Sequence, residues 1–351
     1  MQHKINPKHW ILGFFLGFLI IWVIAFLFGS TLTTYTWCPE TGTWIRLPGS
    51  VHRQRSEGWG TAHFGRLDII GIDDVTKIKM PAVAIWGDSH VEAFQVEQQE
   101  RMQEVITEIW RTNGIKEIMA YGIGHSGEAV ADYYIKIPRY EKNCPNIIAH
   151  FIILSNFEDV LPDQPTEHAV FQSKPRYQIT AQKKGPDCQQ IKVNLRRWGL
   201  DFVWLPTKSL IKDTKLKFMP GPNKPKLPGT VVIHETNKEN AFSFLLHALR
   251  HQTAKPIIFL YCPSIPKIKD GVVYLEDDNA KVVNIFAREC RNNGIGFVDM
   301  TQDFCSYYQK TGTFPRGFAN SRPSAGHFNV GGHRLVAEAI YRVAPLYLKG
   351  N

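Results

Sequence analysis

The sequence predicts an α/β protein: a parallel sheet of about five strands with helices on both faces, preceded by one N-terminal transmembrane helix. Three observations predict it. Short apolar runs alternate with longer helical patterns from Pro81 to the C-terminus. Polar, glycine-bearing segments follow the runs, as expected at the carboxyl ends of parallel strands. Trp10 to Phe28 carries no charged residue and is long enough to reach across a hydrocarbon core.

The apolar segment sets the first boundary. Lys4 and Lys8 precede it, and Asp, Glu, Lys and Arg are all absent from Gly29 to Cys38. The positive-inside bias then places the N-terminus in the cytoplasm and the body outside it, in the periplasm if the chain is bacterial. A cleaved signal peptide is the competing reading. The run is long for a signal sequence, and no clean small-x-small site follows. Gly13 and Gly17 have the spacing of a helix-packing pair. Residues 1–30 are therefore read as a tip and anchor. Residues 31–80, rich in Gly, Thr and Trp, are read as an irregular segment that wraps the body. Residues 81–351 are read as the α/β domain.

At 351 residues, 44% hydrophobic and 21% charged, the chain has ample length and composition for a core and does not read as disordered. Six cysteines in an exported body permit disulfides, although Cys262 and Cys290 lie in apolar contexts that suit the core. No two have the spacing of metal ligands, so zinc is not expected.

The elements follow in order. Pro81–Trp86 reads as the first strand and His90–Thr112 as a helix. Ile115–Tyr121 and Glu128–Tyr140 repeat the pair. Ile147–Leu154 is apolar but for His150, as in a strand buried on both faces. The alternation then breaks. Lys174 to Lys226 holds thirteen Lys/Arg against three Asp/Glu, enough to outweigh the whole chain's net charge of +9. With its Pro and Gly clusters this reads as a basic insertion at about 160–235, made of loops and short elements. A helix over Asn237–His251, a strand at Pro256–Tyr261, a helix near Asn279–Asn293, a strand at Gly296–Met300 and a helix from Val330 to Ala344 complete the pattern.

The predicted strand ends carry chemistry. The first ends at Gly87-Asp88-Ser89-His90, where Gly87 permits a tight turn and Ser89 opens the next helix with its N–H pointing outward. The second ends at Gly122-Ile123-Gly124-His125-Ser126-Gly127-Glu128, and the third at Ser155-Asn156. Gly326-His327-Phe328-Asn329 precedes the last helix. A serine hydroxyl is a weak nucleophile at neutral pH and needs a base, for which His327 is the candidate. A tetrahedral intermediate needs donors aimed at its oxyanion. The N–H of Ser89, a glycine N–H after the second strand and the side-chain amide of Asn156 can supply them. Each residue also has a purely structural reading: Asn156 as a turn residue, the glycines as a loop, His327 as a satisfied histidine, and His333 as a helix residue. His90 and His125 lie near the site with no assigned role. The order of the segments, each at a strand end or a pre-helix loop, favours the chemical reading.

These segments resemble the four blocks of the SGNH hydrolase superfamily, the GDSL-like esterases, in a membrane-anchored form. Ser89 matches the first block. Ser126-Gly127-Glu128 is similar to the second, with Gly127 as the oxyanion glycine and Gly124 as the alternate. Asn156 matches the third block and His327 the last. The resemblance implies a three-layer, flavodoxin-like sheet and an esterase or O-acyltransferase working through an acyl-serine, with Ser89 and His327 catalytic and Ser89, Gly127 and Asn156 forming the oxyanion hole. It implies no metal or organic cofactor. One position departs from the pattern. The family's Asp three residues before the histidine is Ser324 here. A Ser–His dyad, orientation by Ser324 or a backbone carbonyl, a distant carboxylate (Asp159, Asp299 or Asp303), or loss of activity are all open.

Membrane-anchored relatives with this layout often handle O-acyl groups on cell-surface polysaccharide, as esterases or as transferases fed by a multi-pass membrane acyltransferase. The expected partners are therefore an acyl-ester or polysaccharide substrate, the membrane, and such an acyltransferase. The basic insertion would attract an anionic polysaccharide or lipid, or else is a solvated loop. Nucleic acid is not expected. The other class of function is a non-catalytic protein that binds anionic polysaccharide or lipid.

Overall fold

A computed structural model of the chain describes residues 7–157, 160–161, 166, 168–172, 176–181, 185, 189–204 and 235–348, with the side chains of 235–237 excepted. Most of the basic insertion, and Asp159 with it, lies outside the described residues.

Helix α1 (Pro7–Phe28) carries no charged residue from Trp10 onward and has no buried residue. Two small antiparallel hairpins follow, β1 (Tyr35–Cys38) with β2 (Thr43–Arg46) and β3 (Val51–Arg53) with β4 (Thr61–His63). Residues 31–80 are thus more regular than their composition suggests. The pairs are only three or four residues long, too short for a periodicity to register.

The body begins with β5 (Ala82–Gly87), α2 (Ser89–Glu92), α3 (Met102–Thr112), β6 (Met119–Gly124), α4 (Val130–Asn143) and β7 (Ile147–Leu154). A small hairpin, β8 (Ala169–Gln172) with β9 (Gln178–Ala181), and α5 (Gln189–Arg197) lie in the insertion. Then come α6 (Glu235–Arg250), β10 (Ile257–Tyr261), the hairpin β11 (Lys267–Lys269) and β12 (Val272–Tyr274), α7 (Ala280–Asn292), β13 (Gly296–Asp299), α8 (Thr301–Thr311) and α9 (Val330–Leu348).

The central sheet has five strands in the order β13-β10-β7-β5-β6, every pair parallel. This is the flavodoxin-like order, and the reversal at β5 puts the ligand-binding crevice at that strand's carboxyl end. Successive residues of each strand feed opposite faces. Ala84, Trp86, Ile152 and Phe259 face one way, against Tyr133 and Ile137 of α4, Leu245 of α6 and Phe286 of α7. Val83, Ile85, Phe151 and Leu260 face the other, against Ile106 and Trp110 of α3, Phe304 of α8 and Ile340 of α9. The sheet therefore has helices on both faces. Strand β7 carries one polar interruption, His150. Its Nδ1 accepts from the Trp86 indole at 3.0 Å and its Nε2 meets Glu141 at 2.7 Å, so the buried imidazole is satisfied at both ends.

Two helices differ from expectation. The single helix over His90–Thr112 is instead the one-turn α2 and the separate α3, because Ala93 takes a left-handed conformation that closes α2. Helix α8 has no counterpart in the sequence pattern. Its hydrophobic face is narrow, with only Phe304 and Cys305 buried. The cysteines Cys38, Cys144, Cys262, Cys290 and Cys305 are all buried free thiols, so the disulfide expectation does not hold for these five. Burial pushes the Cys144 thiol up to about 11.

Residues 31–80 are bolted to the sheet by charge. The Arg46 guanidinium is fully buried between Asp68, at 2.9 Å, and Glu92 of α2. It also donates to the carbonyl of Gly124, at the end of β6, at 3.0 Å. The Tyr140 hydroxyl donates to the carbonyl of Leu67 at 2.6 Å, joining the same segment to α4.

Candidate active site

Ser89 is the first residue of α2, as its place after β5 predicts, and is partly exposed. Asp88 caps the helix. One carboxylate oxygen accepts from the His90 N–H at 2.9 Å and the other from the Ser155 hydroxyl at 2.9 Å, joining the ends of β5 and β7. A side chain at Gly87 would press on Val91 at 2.4 Å, so only glycine lets α2 fold back this tightly on the strand. Burial pushes the Asp88 carboxyl above its ordinary value.

The loop that carries His327 is held over this turn by two groups the sequence did not assign. Arg316 is fully buried and donates to the carbonyls of Pro263 (3.2 Å), Ser155 (3.0 Å) and Cys262 (2.7 Å), which pins the loop to the ends of β7 and β10. Burial lowers its pKa to about 10. His90 accepts the Phe328 N–H through Nδ1 at 3.2 Å, and its ring lies 5.1 Å from that of His327. Burial first, then the charge of Arg316, hold His90 well below its ordinary pKa. A neutral His90 thus docks the histidine loop onto the residue next to Ser89.

What orients His327 comes from elsewhere. One carboxylate oxygen of Glu57 lies 2.6 Å from His327 Nδ1, and the other accepts the His327 backbone N–H at 3.0 Å. The carboxylate therefore holds the ring and the main chain of one residue together. It fixes the ring proton on Nδ1 and leaves Nε2 as the acceptor. The approach needs the glycine before the histidine: a Cβ at Gly326, whose φ is +84°, would sit 2.3 Å from the Glu57 carboxylate. Asn320 clasps the two loops, accepting the Gly58 N–H at 2.8 Å and donating to the Gly58 carbonyl at 3.1 Å.

The other candidates for this role are engaged elsewhere. The Ser324 hydroxyl accepts the Ile268 N–H at 3.1 Å. Asp299 caps α8 through the Thr301 N–H, and Asp303 pairs with Arg342 at 2.9 Å. None of the three is placed to orient His327. Glu57 had no local signal: it stands in Gln54-Arg55-Ser56-Glu57-Gly58, a polar loop 270 residues from its partner. Gly326 was a trace of it, since it permits the contact.

The oxyanion candidates lie at the ends of three neighbouring strands, β6, β5 and β7. Gly127 is exposed at φ +86°, and its flanking residues are anchored. The Ser126 hydroxyl donates to Glu92, and Glu128 pairs with Lys136 and, at 3.2 Å, with His168. Burial alone would raise the Glu128 pKa, but Lys136 and His168 bring it down to about 2. Gly124, the alternate, is buried with its carbonyl held by Arg46. Asn156 is exposed just past β7. His125 is buried beside the rings of Tyr35 and His168. His333 is buried in α9, as a structural histidine would be, and burial lowers its pKa to about 3.

No family model matches the sequence, and no curated protein does. Solved structures do show similarity. The acetyl xylan esterase AlAXEase is 16% identical, with a TM-score of 0.40, over 75% of this chain and 98% of that one. A lipase/acylhydrolase from Enterococcus faecalis is 11% identical, with a TM-score of 0.38, over 75% and 94%. A variant of an acetyl xylan esterase from Geobacillus stearothermophilus is 14% identical, with a TM-score of 0.37, over 76% and 96%.

Proposed function

We propose that the protein is a serine ester hydrolase or O-acyltransferase of the SGNH type, held at a membrane by α1, with its body on the extracytoplasmic side. The observation that carries the reading is the grip of Glu57 on His327. A histidine with Nδ1 held by a carboxylate, on a loop docked beside a serine at a helix start, is the arrangement general-base catalysis requires.

In this reading His327 Nε2 removes the Ser89 proton as Oγ bonds to the ester carbonyl carbon. The resulting oxyanion is met by the N–H groups of Ser89 and Gly127 and by the amide of Asn156. Collapse breaks the carbon–oxygen bond of the ester, and His327 returns the proton to the leaving alcohol. The acyl-serine is then resolved by water, which gives hydrolysis, or by a sugar hydroxyl, which gives transfer. The Glu57 carboxylate stabilises the imidazolium in both halves. The non-catalytic reading rested on Ser324 in place of an acid, and Glu57 removes that support.

The substrate we favour is an O-acyl group on cell-surface polysaccharide or lipid, with a multi-pass acyltransferase as donor partner in the transfer case. Helix α1 supports the membrane part: it spans 22 residues and holds an 18-residue stretch with a mean hydropathy of 2.9. A fluorophosphonate probe tests the chemistry whichever acceptor is used. The full-length protein in detergent is expected to be labelled at Ser89, and Ser89→Ala to take up none. Equal labelling of both proteins would overturn the assignment.

A further inference from the structure

Among the described elements of the insertion, α5 and the turn after it pack away from the candidate site. Its packing follows α1. The Trp22 indole donates to the Trp198 carbonyl at 3.3 Å, and the rings of Phe18 and Phe202 stand 6.3 Å apart. A Cβ at Gly199 would meet Phe26 at 2.9 Å, so the turn lies flush on the apolar helix.

Its other contacts fix it to the body. Arg196 donates to the carbonyls of Leu32 and Val51, Gln189 donates to that of Tyr35 at 2.8 Å, and Asp201 accepts the Leu32 N–H at 2.7 Å. That leaves one face of α5 without cover. Ile191 on α5 and Trp198 in the turn just past its end are 53% and 68% exposed. Arg197 is exposed beside them, and Lys192 lies 5.7 Å from the Trp204 ring.

We infer that α5 and residues 198–204 form a second membrane contact, seated in the lipid interface beside α1 and facing anionic headgroups. The proposal rests on the membrane-anchored reading of α1. Trp22 lies six residues from the end of α1, about 9 Å along the axis. Its partner Trp198 is therefore carried to the depth at which interfacial helices bury their apolar faces. An amphipathic tryptophan flanked by Arg and Lys is the chemistry that seat selects. Arg53 donates to the carbonyls of Leu27 at 2.6 Å and Phe26 at 2.5 Å, a third tie between body and anchor. It stands four residues before Glu57, so at most about 14 Å of chain separates Arg53, whose side chain reaches the anchor's end, from the residue that holds His327. The two contacts then hold the active site at a fixed, low height above the bilayer, where it meets acyl groups presented at the lipid surface.

The test uses the full chain in nanodiscs of mixed phosphatidylcholine and phosphatidylglycerol. Nitroxide labels are placed through Ile191→Cys, Trp198→Cys, Leu19→Cys and Lys310→Cys in a Cys188→Ser background, in variants that melt like the wild type. The expected result is loss of collisions with a water-soluble nickel chelate at 191 and 198, with oxygen collisions retained, while 310 stays accessible to the chelate. Chelate access at 198 equal to that at 310, with 19 protected, would overturn the seat and leave the anchor standing. Access at 19 would overturn the anchor and the seat together. Equal protection in pure phosphatidylcholine would keep the seat and overturn the anionic preference.

Discussion

At the scale of single residues, the site turns on Glu57. A glutamine there keeps an oxygen for the His327 N–H but presents a neutral amide to the ring, so Nδ1 loses the partner that fixes its proton. Glu57→Gln is expected to lower kcat by roughly a hundredfold to ten-thousandfold, with KM and melting temperature little changed. Steady-state kinetics beside a thermal melt decides it, and activity close to wild type would show that Glu57 has no part in the chemistry. The sequence offers Ser89, Gly127, Asn156 and His327 as candidates because each stands at a strand end or in the loop before a helix. It could not reveal Glu57, Arg316 or the docking role of His90. Each of these acts through contacts across more than fifty residues, between segments that share no periodicity.

At the scale of elements, the hairpins before the body act as structural parts of the sheet. Arg46 on β2 is the joint, carrying the carboxylates of Asp68 and Glu92 out of water with it. Arg46→Ala leaves those two carboxylates buried without their cation. It is expected to cost about 3–5 kcal/mol of stability, read as a fall in the denaturation midpoint. A loss below about 1 kcal/mol, the range of exposed pairs, would show that the joint is solvated. Strand β7 was legible to the residue because it is apolar along its length but for His150. The split between α2 and α3 was not, because a left-handed alanine at position 93 leaves no mark in the hydrophobic pattern.

At the scale of the whole molecule, buried histidines shape the response to acid. Burial first, then the charge of Arg101, hold His333 at about 3, against 6.5 when exposed. Between those values the unfolded chain binds a proton that the native chain refuses, so stability is lost as pH falls from about 6.5 toward 3. Asp132, raised to about 6 by burial and by Glu128, tilts the profile the other way, so the readable quantity is a difference between two proteins. His333→Leu is expected to flatten the acid slope by up to about 1.4 kcal/mol per pH unit within that window. Parallel slopes for variant and wild type would show that His333 is already charged in the native state. The contact between Glu57 and His327 has a further consequence, for how the protein is made. During synthesis Glu57 and Ser89 leave the ribosome more than two hundred residues before His327, so no chain that stops short of His327 can hold all three. Closing a loop of 270 residues is entropically costly and belongs among the slowest steps of assembly. On the proposed reading the nascent chain is therefore inert until the loop that carries His327 docks. On the proposed reading, a body cut free at Pro81 would keep the serine and the histidine, yet lack the acid that pairs with them.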